Sequence, residues 1–258
     1  LAKDTVWLEC TSQTVSAGYM GNFTGDRKAL LIDETGGHLV HTPIYKGTDN
    51  LQTRKVTAVA DEEGNLLASI NTHYTGLQQD HPHSLIHEAS KEEREKYLNQ
   101  MFNLPTYQVL KNNYKEHKGI IPSVDEYLEI DLKNFAVITG KRLFINPNIF
   151  GGATEKITTD TDRKYDYVIK TPYIDVDSVE IKIPVGYTPE SLPKDVSLQT
   201  KYGKYLSSVK VLNDRFIYFR LMEQYNGRFP AKEYNDIVKF YDQVYKADRS
   251  KIVCVKTE

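Results

Sequence analysis

Apolar and polar residues alternate along most of this chain, and a period of two is the mark of half-buried strands. Residues 54–60 and 66–74 alternate on either side of Asp61-Glu62-Glu63-Gly64-Asn65, which predicts a long hairpin with Leu67, Ser69, Asn71 and His73 on one face. Residues 29–32 and 38–40 flank Asp33-Glu34-Thr35-Gly36-Gly37 and predict a second hairpin with a Gly-Gly turn, ended by Pro43. Strand patterns recur at 106–111, 124–132, 134–139 and 141–146, with a turn at Gly140-Lys141. They resume at 165–171, 176–183, 195–200, 204–212 and 214–222, with a tight turn at Asn213-Asp214. Residues 4–11 and 251–256 read as strands near the two ends. Long alternating strands with one polar face suit an antiparallel sheet that is wet on one side.

Helical spacing occurs twice. Ser90 followed by Glu93 predicts a capped helix start, with Tyr97, Leu98, Met101 and Phe102 as its apolar stripe and Pro105 as its stop. Pro230 suits the first turn of a second helix. Tyr234, Ile237, Val238, Tyr241, Val244 and Tyr245 form that helix's core-facing stripe. Residues 12–28 read as a long ordered loop, and 46–51 as linker-like. Leu192-Pro193 falls in a loop, and Asp80-His81-Pro82-His83 breaks the pattern over 76–88. The expected fold is mainly β: an antiparallel, sandwich-like arrangement with two α-helices packed on it. The polar, Gly-rich stretch 151–163 is the candidate boundary dividing 46–258 into subdomains 46–150 and 151–258.

Composition narrows the classes. A chain of 258 residues can bury one large core or two small ones. Its 40% hydrophobic and 26% charged content is that of a folded protein. A net charge of -2 offers no basic footprint, so no nucleic-acid partner is expected. No run of 18 apolar residues is present, so no membrane-spanning helix is expected. Eighteen Tyr and nine Phe against one Trp fit pleated, half-buried surfaces. Cys10 and Cys254 are too few for a disulfide framework and read as reduced, structural residues. The sequence opens on Leu1 with no basic-then-apolar leader and reads as part of a longer precursor.

Three groups of residues invite a chemical reading. His81, His83 and His87, with Asp80, form the best metal candidate and the basis for a metal-dependent hydrolase. No CxxC or HExxH frame supports them, and the plainer reading is an exposed loop before a helix. Asp160, Asp162, Asp166, Asp175 and Asp177 offer oxygen ligands for Ca²⁺, but no twelve-residue loop with a closing Glu is present, and a solvated loop and strand edge is the plainer reading. Tyr165, Tyr167, Tyr173, Tyr202, Tyr205 and Tyr218 suit either a sugar-stacking face or cross-strand packing. No phosphate loop, nucleophile elbow or dinucleotide fingerprint occurs, and no cofactor is expected.

Trp7-Leu8-Glu9-Cys10-Thr11 resembles the W-x-D-x-T element that closes the catalytic core of transglutaminase-like proteins, where a strand carries the acid of a Cys-His-Asp triad. By that match Glu9 stands at the acid position, with Glu for the usual Asp. Residues 21–27 (Gly-Asn-Phe-Thr-Gly-Asp-Arg), 29–32 and 37–40 extend the resemblance to a bacterial group common in Bacteroidetes. There a β-rich domain precedes the transglutaminase-like core and a domain of unknown function follows it. The resemblance covers about residues 5–43 and implies that 1–45 is the tail of such a core plus a linker hairpin. It also implies export to the periplasm or cell surface. The family's Cys and His precede this element, and neither Cys10 nor Cys254 fits the nucleophile. The implied role is a non-catalytic accessory or binding region whose partner is the transglutaminase-like core of the parent protein. A carbohydrate- or peptide-binding module is the alternative. Asp26-Arg27 is expected to form an ion pair pinning the loop, and residues 5–43 are expected to lie along the β-rich body.

Overall fold

The computed structural model describes residues 5–152, 156–160 and 162–257. Residue 4 of the expected first strand, and residues 153–155 and 161 of the expected boundary, lie outside the described residues. The chain opens irregularly. Residues 5–11 form no strand, contrary to expectation, and α1 (Gly21–Thr24) is a single turn. The hairpin β1 (Lys28–Asp33) and β2 (Gly36–His41) forms a two-stranded sheet of its own. Its turn is Glu34-Thr35, one step before the glycine pair, because Asp33 Oδ1 accepts the Thr35 amide at 2.8 Å and Gly36 takes φ 124°.

β3 (Leu51–Ala60) and β4 (Leu66–Thr75) make the long hairpin that the alternation predicts. Then come α2 (Asp80–His87) and α3 (Lys91–Leu98), the latter capped by Ser90 and Glu93 as expected. β5 (Tyr107–His117), β6 (Ser123–Leu132), β7 (Val137–Thr139) and β8 (Arg142–Ile145) follow. After the Gly-rich break come β9 (Tyr167–Ile169), β10 (Tyr173–Lys182), β11 (Tyr187–Ser191) and β12 (Val196–Gln199). β13 (Gly203–Leu212), β14 (Arg215–Gln224), β15 (Gly227–Phe229), α4 (Tyr234–Ala247) and β16 (Ile252–Lys256) complete the chain. β11 escaped the alternation because it holds Pro189, which an edge strand tolerates. No helix among the described residues is long and apolar enough to cross a membrane.

Eight strands form one sheet in the order β12-β13-β14-β10-β3-β4-β6-β5. Its neighbours are antiparallel except β10 and β3, which run parallel from Ile174↔Leu51 to Lys182↔Val59. That pairing crosses the stretch 151–163. Residues 46–150 and 151–258 each give four strands to the large sheet and two to a smaller one, ordered β11-β16-β8-β7. The smaller sheet covers part of the large sheet's inner face. Leu143, Ile145, Ile252 and Cys254 pack there with Val56, Ile70, Leu128 and Val179 in one core. Each such aliphatic side chain contributes about 1.5–3 kcal/mol by leaving water. α4 covers the neighbouring part, setting Ile237, Phe240 and Val244 against Tyr205 and Met222.

Between these two apolar regions a polar row crosses the inner face. Register aligns Ser207, Arg220, Asp177, Arg54, Thr72 and Glu126 across six strands. Arg220 grips Asp248 side-on, with Nε to Oδ1 at 2.8 Å and Nη2 to Oδ2 at 3.3 Å, and reaches Asp177 Oδ2 through Nη1 at 3.1 Å. Arg54 Nη1 donates to Phe150 O at 2.9 Å and to Asp177 Oδ1 at 3.4 Å. Arg54, Asp177, Arg220 and Asp248 are 8, 2, 4 and 3% exposed. These four groups pair with one another inside the protein, while Glu126, also buried in the row, accepts from the Tyr74 hydroxyl and has its pKa raised by burial. Removing one of the four leaves its partners charged and dry. Arg220→Met is expected to lower the unfolding free energy by about 3–5 kcal/mol in urea titrations. Lys111→Ala, which removes the surface pair with Glu129, is expected to cost less than about 1 kcal/mol.

Candidate functional site

The residues with most chemistry gather where α2 meets β5 and the N-terminal segment. The pattern break at 76–88 is helical. Gly76–Gln79 forms one 3₁₀ turn and α2 continues from it. Pro82 lies in the first turn of α2, where its missing N–H has no intrahelical acceptor to lose. Positions i and i+4 share a helix face, so His83 and His87 stand together, ring centroids 4.5 Å apart. His81 is turned elsewhere. Its ring lies 5.1 Å from that of Tyr97, and burial lowers its pKa.

Glu116 on β5 completes the group. His83 Nδ1 donates to its Oε1 at 2.5 Å and His87 Nε2 to its Oε2 at 2.9 Å. Burial alone would raise the Glu116 carboxyl, but hydrogen bonds from His87 and His83 bring it below its usual range. The structure thus joins two of the three expected histidines and replaces the third with a carboxylate 33 residues beyond His83. No sequence spacing marks that partner, because only strand placement brings it near. The ligand atoms of His83, His87 and Glu116 all lie within 4.8 Å of one another, the arrangement of a potential metal centre.

Residues 14–20 of the N-terminal segment contact this region, whereas the hairpin β1–β2, also expected to lie along the body, forms a separate two-stranded sheet. Thr14 Oγ1 is 2.9 Å from His83 Nε2, and the Gly119 amide donates to Ser16 Oγ at 3.3 Å. Tyr19 is fully buried and donates to Asp80 Oδ1 at 2.5 Å, while the Met20 amide donates to Tyr45 OH at 2.8 Å. Burial raises the pKa of both Tyr19 and Asp80. Glu9 is held locally. Its Oε1 accepts the Thr11 amide at 2.8 Å and the Thr11 hydroxyl at 2.5 Å, and its Oε2 accepts the Thr24 hydroxyl. The Thr11 hydroxyl, then those of Thr24 and the Thr11 amide, lower its pKa.

The other candidates are dispersed. Asp26 pairs with His41 Nε2 at 3.5 Å, and Arg27 Nη1 donates to the Asp26 carbonyl and not its carboxylate, so the expected Asp26–Arg27 ion pair is not formed. Asp160 accepts the Asp162 amide, Asp166 pairs with Arg228, Asp175 accepts from Gln78, and Asp177 lies between two arginines. They converge on no shared point. Tyr202, Tyr205 and Tyr218 are buried, Tyr167 and Tyr173 are half-buried, and only Tyr165 is exposed, so the six form no stacking face. Cys10 and Cys254 are both free thiols. A cleft of 360 Å³ opens beside the polar row between Phe102, Pro105, Phe135 and Ile149. On the outer face Asp125 bridges His73 at 2.6 Å and His117 at 2.8 Å.

Residues 141–254 match the family described as Domain of Unknown Function with solved-structure structure (DUF3858). No curated protein matches the chain. The matched stretch opens at the foot of β8 and ends within β16, so it holds four of the eight strands of the large sheet and all or part of three of the four in the smaller one. β10, inside it, finds its parallel partner β3 outside it.

Asp175 supplies a pH test of this interior. Burial raises its carboxyl to about 6, with the Gln78 hydrogen bond and Arg220 opposing. Its folded pKa therefore exceeds the unfolded value of about 3.9. The stability gained from the protonated form is complete below pH 4 and lost as pH rises through 6. Asp175→Asn keeps the Gln78 bond and is expected to stabilise the protein by about 1–2 kcal/mol at pH 8, allowing for partial exposure. Urea unfolding at pH 4 should show no gain.

Proposed function

We propose that this chain is a non-catalytic accessory region of an exported transglutaminase-like protein of the periplasm or cell surface, and that it docks on that protein's catalytic core. The observation that carries this reading is the hairpin β1–β2. Among the described residues it pairs with no other strand, and an isolated two-stranded hairpin is marginal in water. Register sets Leu30 opposite Leu39, and Ile32 follows Leu30 on the same face. Leu30, Leu39 and Ile32 are 65, 73 and 75% exposed. Val6, Leu8, Phe23 and Ile44, in the flanking segments, are exposed as well. So much exposed apolar surface over the stretch that bears the transglutaminase-like resemblance fits an interface.

The non-catalytic part rests on the chemistry of Glu9 and the thiols. Glu9 spends its carboxylate on threonine hydroxyls and an amide instead of orienting an imidazole. Burial pushes the Cys254 thiol up to about 11, the reverse of an activated nucleophile. The sugar-binding alternative loses its platform with Tyr202, Tyr205 and Tyr218 in the core.

The test is binding to the parent protein's transglutaminase-like core supplied in trans. Replacing Leu30, Ile32 and Leu39 together by Asp is expected to weaken binding more than tenfold, since each buried anchor is worth about 1.5–3 kcal/mol. The melting temperature of the body should stay nearly unchanged, because the three side chains are mostly exposed and sit on a hairpin outside both larger sheets. Equal binding by the variant, or thiol-dependent amidase turnover by this chain alone, contradicts the proposal.

A further inference from the structure

We propose that His83, His87 and Glu116 form a binding site for a divalent transition metal of the Zn²⁺ class, with Thr14 as its supporting hydrogen-bond partner. The donor set is two imidazoles and one carboxylate, which suits Zn²⁺ and disfavours Ca²⁺ and Mg²⁺, cations that take oxygen ligands. Two nitrogens, His83 Nδ1 and His87 Nε2, already aim at one carboxylate. Tetrahedral bonds of about 2.0–2.1 Å would set neighbouring ligand atoms about 3.3 Å apart. The present N···O separations are 2.5 and 2.9 Å, each short of that by less than about 1 Å, and all three ligand atoms lie within 4.8 Å of one another.

The surroundings favour this assignment. α2 fixes both histidines on one face, and β5 fixes the glutamate opposite. His83 Nε2 is 2.9 Å from Thr14 Oγ1. While Nδ1 carries its proton, Nε2 accepts from the threonine hydroxyl. With a metal on Nδ1, Nε2–H donates to the same oxygen, which a hydroxyl permits. Such an outer partner fixes the tautomer and orientation of a ligating imidazole. His83 is buried, whereas the side chains of His87 and Glu116 remain 27 and 21% exposed. The ion thus has an entry side and a fourth position open to water or to an outside ligand. Through Thr14 the site would also tie the N-terminal segment to the body. It is separate from the exposed hairpin face, so the two proposals stand or fall independently.

The experiment is equilibrium dialysis of the whole chain against Zn²⁺ at pH 7.5 with metal analysis, paired with Co²⁺ absorption spectroscopy. One Zn²⁺ per chain and tetrahedral Co²⁺ bands are expected. His87→Ala, on the open side of the cluster, should weaken binding by about 100-fold or more, and Thr14→Val by about 10–100-fold. His81→Ala should bind as the unchanged protein does. Circular dichroism of each variant separates loss of the site from loss of the fold. No stoichiometric metal, or binding unaltered in both His87→Ala and Glu116→Gln, overturns the proposal.

Discussion

Arg220 carries its charge into the centre of the protein, and the structure around it is arranged to answer that charge. Asp177 on β10 and Asp248 after α4 accept from each of its three nitrogens, and Arg54 on β3 shares Asp177. Four groups from four parts of the chain therefore meet beside Phe150 and Gly151, where the Gly-rich break begins. The balance explains several features at once. α4 must end at Asp248 against the sheet. β10 must lie between β14 and β3. The loop after β8 must pass close, because Arg54 donates to Phe150 O. At that point a Cβ on Gly151 would meet Asp177 Oδ2 at 3.0 Å, so glycine lets the backbone approach. An ion set of this kind contributes specificity of arrangement more than raw stability, since any other strand order would leave a charge unpaired.

Local features were the legible ones. The β3–β4 hairpin, the Ser90–Glu93 cap and the α4 stripe all depend on neighbours in sequence, and each appears where the pattern puts it. What escaped depends on distance or on exception. Arg54 and Asp177 lie 123 residues apart and look like ordinary polar strand positions, yet both face inward. The parallel β3–β10 pairing leaves no local signature. Pro82 hid α2, because a proline in a first turn resembles a breaker in a linear reading. Trp7 to Thr11 has the alternation of a strand but no neighbouring strand to pair with here, and the Trp7 carbonyl accepts from Gly18 instead.

The candidate sites follow from this frame. The inner face is closed by a second sheet and a helix, so exposed chemistry is left to the margins. On one margin, α2 and β5 bring His83, His87 and Glu116 together and hold the segment around Thr14. On another, the hairpin β1–β2 stands off with an apolar face. Cys254 and most of the candidate tyrosines are absorbed by the core, which is why residue type alone overstated their functional promise. The protein reads as a rigid β body that presents segments along its N-terminal region.

Residues 46–150 and 151–258 share both larger sheets through β3 and β10 and β8 and β16, and they should unfold as one cooperative body. Native-state hydrogen exchange tests it most directly. Amides of Val56 and Ala58 on β3, and of Val179 and Ile181 on β10, should exchange only through global unfolding, with the same free energy on both strands. Exchange of β3 at a clearly lower free energy than β10, showing that one half opens while the other stays folded, would contradict the account.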